Sequence, residues 1–143
     1  MKSQPTTALY WITTLVFSAF MLMSGVTNFL ETSESQEVMK QLGYPMHVLR
    51  VIGLGKTLGA LALLQTRFRT LKEWAYAGFT FDLIGAAVAW GDTTGEAMAV
   101  VFPLLFLAFM AVNYLLWKKM ERLRAYRAAG APAEQPLAAE LAV

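Results

Sequence analysis

No charged side chain occurs between Lys2 and Glu31, and none between Glu96 and Lys118. Each gap exceeds the ~20 apolar residues that a helix needs to cross a ~30 Å hydrocarbon core. Hydrophobic residues make up 57% of the 143 positions and charged ones 15%, against about 45–50% and 25% in globular domains. The excess lies in segments, which points to a bilayer rather than to a large soluble core. The length suits one domain.

Two further apolar stretches carry central charges. Met46 to Gln65 is interrupted by His47, Arg50 and Lys56, and Trp74 to Trp90 only by Asp82. The second begins and ends with the indole rings expected of interfacial aromatic belts. Neither alternates with period two, so helices are expected rather than barrel strands. The predicted fold is an all-α, polytopic membrane protein: a four-transmembrane-helix bundle within residues 1–127. Its spans cover about 8–30, 46–65, 74–90 and 97–117, and 128–143 form a disordered cytoplasmic tail rich in Ala, Gly and Pro. The run from Ala8 to Leu30 is longer than the hydrophobic region of a signal peptide, so a retained span is expected there.

Basic residues set the expected orientation. Lys2, Arg67, Arg69, Lys72, Lys118, Lys119, Arg122, Arg124 and Arg127 flank the same ends of the spans, while the other connections carry Glu31, Glu34, Glu37, Asp92 and Glu96. The positive-inside rule then places both termini in the cytoplasm of a multi-pass inner-membrane protein. Between the first two spans, Val38, Met39 and Leu42 have the spacing of a short amphipathic surface helix, stopped by Gly43 and Pro45. The pI near 9.0 reflects flanks suited to anionic headgroups and not a nucleic-acid surface.

Lys56 and Asp82 are the candidate polar core. Lys56 lies eleven residues before Arg67, and Asp82 ten residues after Lys72. At ~1.5 Å per residue both reach roughly 15–16 Å from the same face. A lone charge there costs about 2.5–3.5 kcal/mol on insertion scales, which opposite charges at equal depth offset. Two readings stand: a structural ion pair locking two helices, and a proton-responsive or solute-binding pair facing a cavity.

Other candidates are weaker. Asn28, Glu31, His47 and Arg50 form a candidate outer-face cluster able to hold an anion or headgroup, or simply to satisfy helix ends. Gly55 and Gly59 have the small-xxx-small spacing of close helix packing. Asn113 and Tyr114 are expected to hydrogen-bond between helices. Cysteine is absent and His47 is the sole histidine, which excludes disulfides, thiolate sites, bis-histidine haem within the chain and histidine-rich metal sites. No metal is expected, and no cofactor is evident. What remains is a quinone, held by Phe and Met side chains with Lys56 or His47 on a quinone oxygen.

The run GLGKTLGALALL from Gly53 to Leu64, followed by LKEWAYAGFTFDLIGAA from Leu71 to Ala87, resembles the DoxX-like family of small bacterial membrane proteins. Ser24-Gly25, Leu42-Gly-Tyr-Pro45 and Asn113-Tyr-Leu-Leu-Trp117 match its style, so the likeness covers about residues 10–118. The resemblance implies a four-helix inner-membrane protein with Lys56 and Asp82 as its polar core. It also implies an accessory, non-catalytic subunit beside a quinone-linked redox enzyme. The alternative from the residues is a homo-oligomeric binding or transport module for a small hydrophobic or anionic solute. Many members carry a lysine shortly after Ser-Gly, where this chain has Asn28.

Overall fold

The computed structural model describes residues 5–130. Five helices follow one another: α1 (Pro5–Phe29), α2 (Ser33–Leu42), α3 (Met46–Leu64), α4 (Arg69–Thr94) and α5 (Ala97–Ala128). The connections are short and use backbone chemistry suited to sharp exits. Gly43 closes α2 and Gly95 closes α4, both in the left-handed region with φ +71° and +63°, which glycine adopts without steric cost. Glu31 takes φ +51° between α1 and α2, a rarer conformation for a residue with a Cβ. Its carbonyl accepts a bond from Gln36 Nε2 at 2.7 Å, which helps to hold it there.

The expected four-span bundle is corrected by this arrangement. Among the described residues three helices, α1, α3 and α5, are long and apolar enough to cross a membrane. α4 has the length, at 26 residues, but not the composition. Arg69, Lys72, Glu73, Asp82 and Asp92 all fall within it, together with several threonines. The fold is therefore all-α with five helices and three candidate spans. The expected cytoplasmic placement of both termini rested on an even number of spans. Residues 131–143, most of the expected tail, lie outside the described residues, as does Lys2.

Although not apolar all round, α4 packs on α3 and α5, and its charges find partners on these helices and on α1. Lys72 reaches α1, Glu73 meets Lys118, and Asp82 meets Lys56. The long helices run antiparallel in succession. Thr14 meets Asn113 near one end of α1 while Phe20 meets Phe106 further along it; Gly59 faces Phe79 just as Lys56 faces Asp82. The core between them is formed by Tyr10, Phe17, Met21, Leu63, Tyr76, Phe79 and Trp117, among others. Phe17 and Phe79 meet edge to face at 5.3 Å, a geometry worth about 0.5–1.5 kcal/mol beyond burial. Leu15, Val51, Leu105 and Leu115 instead point outward and are exposed, as they would be on surfaces that lipid covers.

α1 and α3 approach most closely where glycines coincide. A Cβ on Gly25 would lie 2.8 Å from the Thr57 nitrogen, and one on Gly53 would lie 2.7 Å from the Gly25 oxygen. Backbones can come this near only without side chains between them. Thr57 Oγ1 bonds back to the Gly53 oxygen at 2.8 Å, so its hydroxyl is satisfied inside the contact.

Candidate functional site

While α1 and α3 close on one another, α3 and α4 part. Between them opens a cleft of about 1180 Å³ that runs from Leu71 and Trp74 at one end to α2 and Trp90 at the other. Its floor is made by small residues. Gly55, Gly78 and Gly85 line it, and a Cβ at any of the three would meet nothing within 4 Å. Gly59 differs, since a Cβ there would press on the Phe79 ring at 2.9 Å. Gly55 and Gly59 therefore do not share one close helix contact: one borders open space and the other an aromatic ring.

Lys56 and Asp82 both line this cleft, about midway along it. Lys56 Nζ stands 3.3 Å from Asp82 Oδ2, and the side chains keep 17% and 21% of their surface exposed. The distance makes an ion pair, but the directions do not make a hydrogen bond, and Asp82 Oδ2 is buried with no hydrogen-bond partner among the described residues. The pair thus neutralises itself while leaving hydrogen-bonding capacity unspent. The two halves of the cleft differ in polarity. Ser24, Asn28, Glu34 and Ser35 border the half near α2, whereas Leu58, Ala62, Trp74 and Phe79 border the other.

The outer-face residues divide into two separate contacts. Ser35 donates to Asn28 Oδ1 at 3.1 Å and accepts from Thr32 at 3.0 Å, which ties α2 to the end of α1. Arg50 Nε pairs with Glu31 Oε1, joining α3 to the turn after α1. His47 is exposed and joins neither contact. Asn28 also lines the cleft, but Glu31, His47 and Arg50 do not.

Two buried features lie at the opposite end; the sequence pointed to Asn113 as an interhelical hydrogen-bonding residue but not to Lys72. Lys72 is 4% exposed. Its Nζ donates to Tyr10 Oη at 2.7 Å and lies 5.3, 5.6 and 5.9 Å from the ring centres of Tyr10, Trp11 and Trp117. Aromatic faces stabilise a desolvated cation in this way. Beside it, Asn113 accepts from the Tyr76 hydroxyl and donates to Thr13 and Thr14, both at 2.8 Å. That network links α1, α4 and α5. A basic residue read as a solvated flank hides the Lys72 cage; the nearby Tyr10-Trp11 and Trp117 were the available signal.

At the surface of this end, Lys118 Nζ donates to Glu73 Oε1 at 2.6 Å, and Arg69 bridges Glu73 and Glu121 at 3.7 and 3.2 Å. The Lys118 hydrogen bond holds the Glu73 carboxyl below its ordinary value of 4.5, against the opposing effect of desolvation. Among the described residues no three His, Asp or Glu side chains gather where they could hold a metal ion.

Residues 12–113 match the model of the DoxX-like family. The match spans most of the chain, and the protein belongs to this family of membrane proteins. No curated protein and no solved structure matches it.

Proposed function

We propose that this DoxX-like protein is a non-catalytic binding module of the bacterial inner membrane, which takes a small, largely apolar solute into the α3–α4 cleft. The observation that carries this reading is the cleft itself, wide enough at about 1180 Å³ for a small amphiphile and centred on Lys56 and Asp82. Ligand sites are typically concave and mostly apolar, with a few placed polar groups. An ion pair built only to lock two helices needs good geometry and further hydrogen bonds to offset its desolvation; Asp82 Oδ2 has no such bond among the described residues. Lys56 and Asp82 are the polar contacts in this reading, and Gly55, Gly78 and Gly85 provide the room.

Filling the cleft tests it. Gly78→Leu adds a side chain where a Cβ has no neighbour, so the helix tolerates it while the cavity shrinks. Displacement of an environment-sensitive apolar fluorophore from the purified protein in nanodiscs provides the readout. Gly78→Leu should unfold no earlier than the wild type and bind the fluorophore much more weakly. Equal binding by both proteins would overturn the cleft as the site.

A further inference from the structure

The charge at the centre of the cleft decides what kind of head group fits it. Lys56 Nζ and Asp82 Oδ2 are 3.3 Å apart, so a ligand atom that touches one lies close to the other. For an anion, attraction to the ammonium is then largely cancelled by repulsion from the carboxylate; for a cation the same holds with signs exchanged. Hydrogen bonding is not cancelled. Asp82 keeps 21% of its side-chain surface exposed, so its carboxylate can be reached from the cleft although Oδ2 itself is buried and has no donor among the described residues, and an ammonium offers three donors in all. A group that both donates and accepts can satisfy the two at once, through bonds that the charges strengthen.

Polarity along the cleft adds direction. Trp74 and Trp90 are sixteen residues apart on α4, about 24 Å along the helix, with Asp82 halfway between. Beyond Asp82 toward Trp90 the border includes Ser24, Asn28, Glu34 and Ser35, but toward Trp74 it is apolar and opened by Gly78.

On these grounds we infer that the cleft selects a neutral amphiphile, with a hydroxyl or similar donor–acceptor head on the Lys56–Asp82 pair and its apolar tail toward Trp74. This rests on the cleft being a binding site and goes beyond it by excluding a charged head. The anionic solute that Lys56 alone would favour is disfavoured because Asp82 is its immediate neighbour.

Four ligands with one tail separate the possibilities: 1-dodecanol, dodecanoate, dodecyltrimethylammonium and dodecane. Each competes with the fluorophore on the full-length protein in nanodiscs, corrected for its partition into lipid. 1-Dodecanol should bind most tightly. The other three should be weaker by about ten- to a hundredfold, the factor carried by one hydrogen bond to a charged group. Asp82→Asn leaves Lys56 uncompensated and should turn the preference toward dodecanoate. A bromine at the tail end of dodecanol should quench Trp74, compared in Trp74→Phe and Trp90→Phe proteins. Preference of the wild type for dodecanoate or for the ammonium, or quenching at Trp90 alone, would overturn this inference while leaving the cleft a binding site. Absence of competition by all four would overturn both.

Discussion

Alanine at position 53 would carry a Cβ 2.5 Å from the Phe29 nitrogen, 2.7 Å from the Gly25 oxygen and 2.9 Å from the Phe29 Cα. All three are backbone atoms of α1, so no side-chain rotation relieves the clash. α1 has to move away from α3, and overpacking of this kind typically costs about 1–3 kcal/mol. Two residues along the same helix, a Cβ at Gly55 would meet nothing within 4 Å. Gly55→Ala should therefore show only the helical preference of alanine, a gain of about 0.5–1 kcal/mol. The variants add the same single methyl group yet should differ by roughly 1.5–4 kcal/mol, with opposite signs relative to the wild type. Unfolding in one detergent, by heat or by added SDS, measures this directly. Gly25→Ala, on the facing helix, should follow Gly53→Ala. If Gly53→Ala is as stable as Gly55→Ala, the close α1–α3 approach is wrong.

Three other outcomes are expected. Removing one member of the central pair, by Lys56→Met or Asp82→Leu, should cost about 1–3 kcal/mol, less than the ~3–5 of a fully buried pair because the cleft admits polar contacts; the double variant should recover much of the loss, and additive losses in a double-mutant cycle would deny the coupling. Asn113→Leu removes the bonds joining α1, α4 and α5 and should destabilise by about 2–3 kcal/mol, counting interhelical bonds at ~0.6 each with the cost of orphaned hydroxyls; stability equal to the wild type would show the network to be dispensable. Glu73 has its folded value lowered, so its contribution is present above 4.5 and is lost as pH falls through the folded value. Acid should accordingly loosen the α4–α5 end in the wild type, and Lys118→Met should lose that part of the pH dependence, as unfolding curves at neutral and acid pH would reveal.

The helices were legible wherever hydropathy alone decides. The charge-free runs mark α1 and the first part of α5, and Gly43 with Pro45 marks the end of α2, because local chemistry suffices there. α4 was misread as a span for a physical reason: its matched depth and bracketing tryptophans are membrane signals, but its charges lower its overall hydropathy and are satisfied by particular neighbours. Partner choice of that kind is not encoded within one helix. The same limit applies to glycine. Gly55 and Gly59 have the spacing of a packing motif, yet the backbone contact falls on Gly53 with Gly25, since which face of a helix meets its neighbour is set by the whole assembly. Lys56 and Asp82 were singled out because a charge in an apolar run is costly wherever it lies. The cleft beside them was not legible, as it comes from small residues at separate positions on two helices, Gly55 on α3 with Gly78 and Gly85 on α4, whose facing is set by the assembly. Lys72 escaped notice for the opposite reason: a lysine near a helix end looks solvated until Tyr10, Trp11 and Trp117 close around it.

Photo-cross-linking in the membrane bears most directly on the cleft as a solute site. A long-chain alcohol with a diazirine in its tail, activated in nanodiscs that contain the full-length protein, labels whatever lines its resting place, and peptide mass spectrometry locates the labels. They should concentrate on Leu58, Ala62, Gly78 and Phe79, be displaced by excess unlabelled alcohol, and fall sharply in Gly78→Leu. Labels spread over the outward faces of α1 and α5, undiminished by competitor or by Gly78→Leu, would mean that the alcohol dissolves in the surrounding lipid and that the cleft holds no solute.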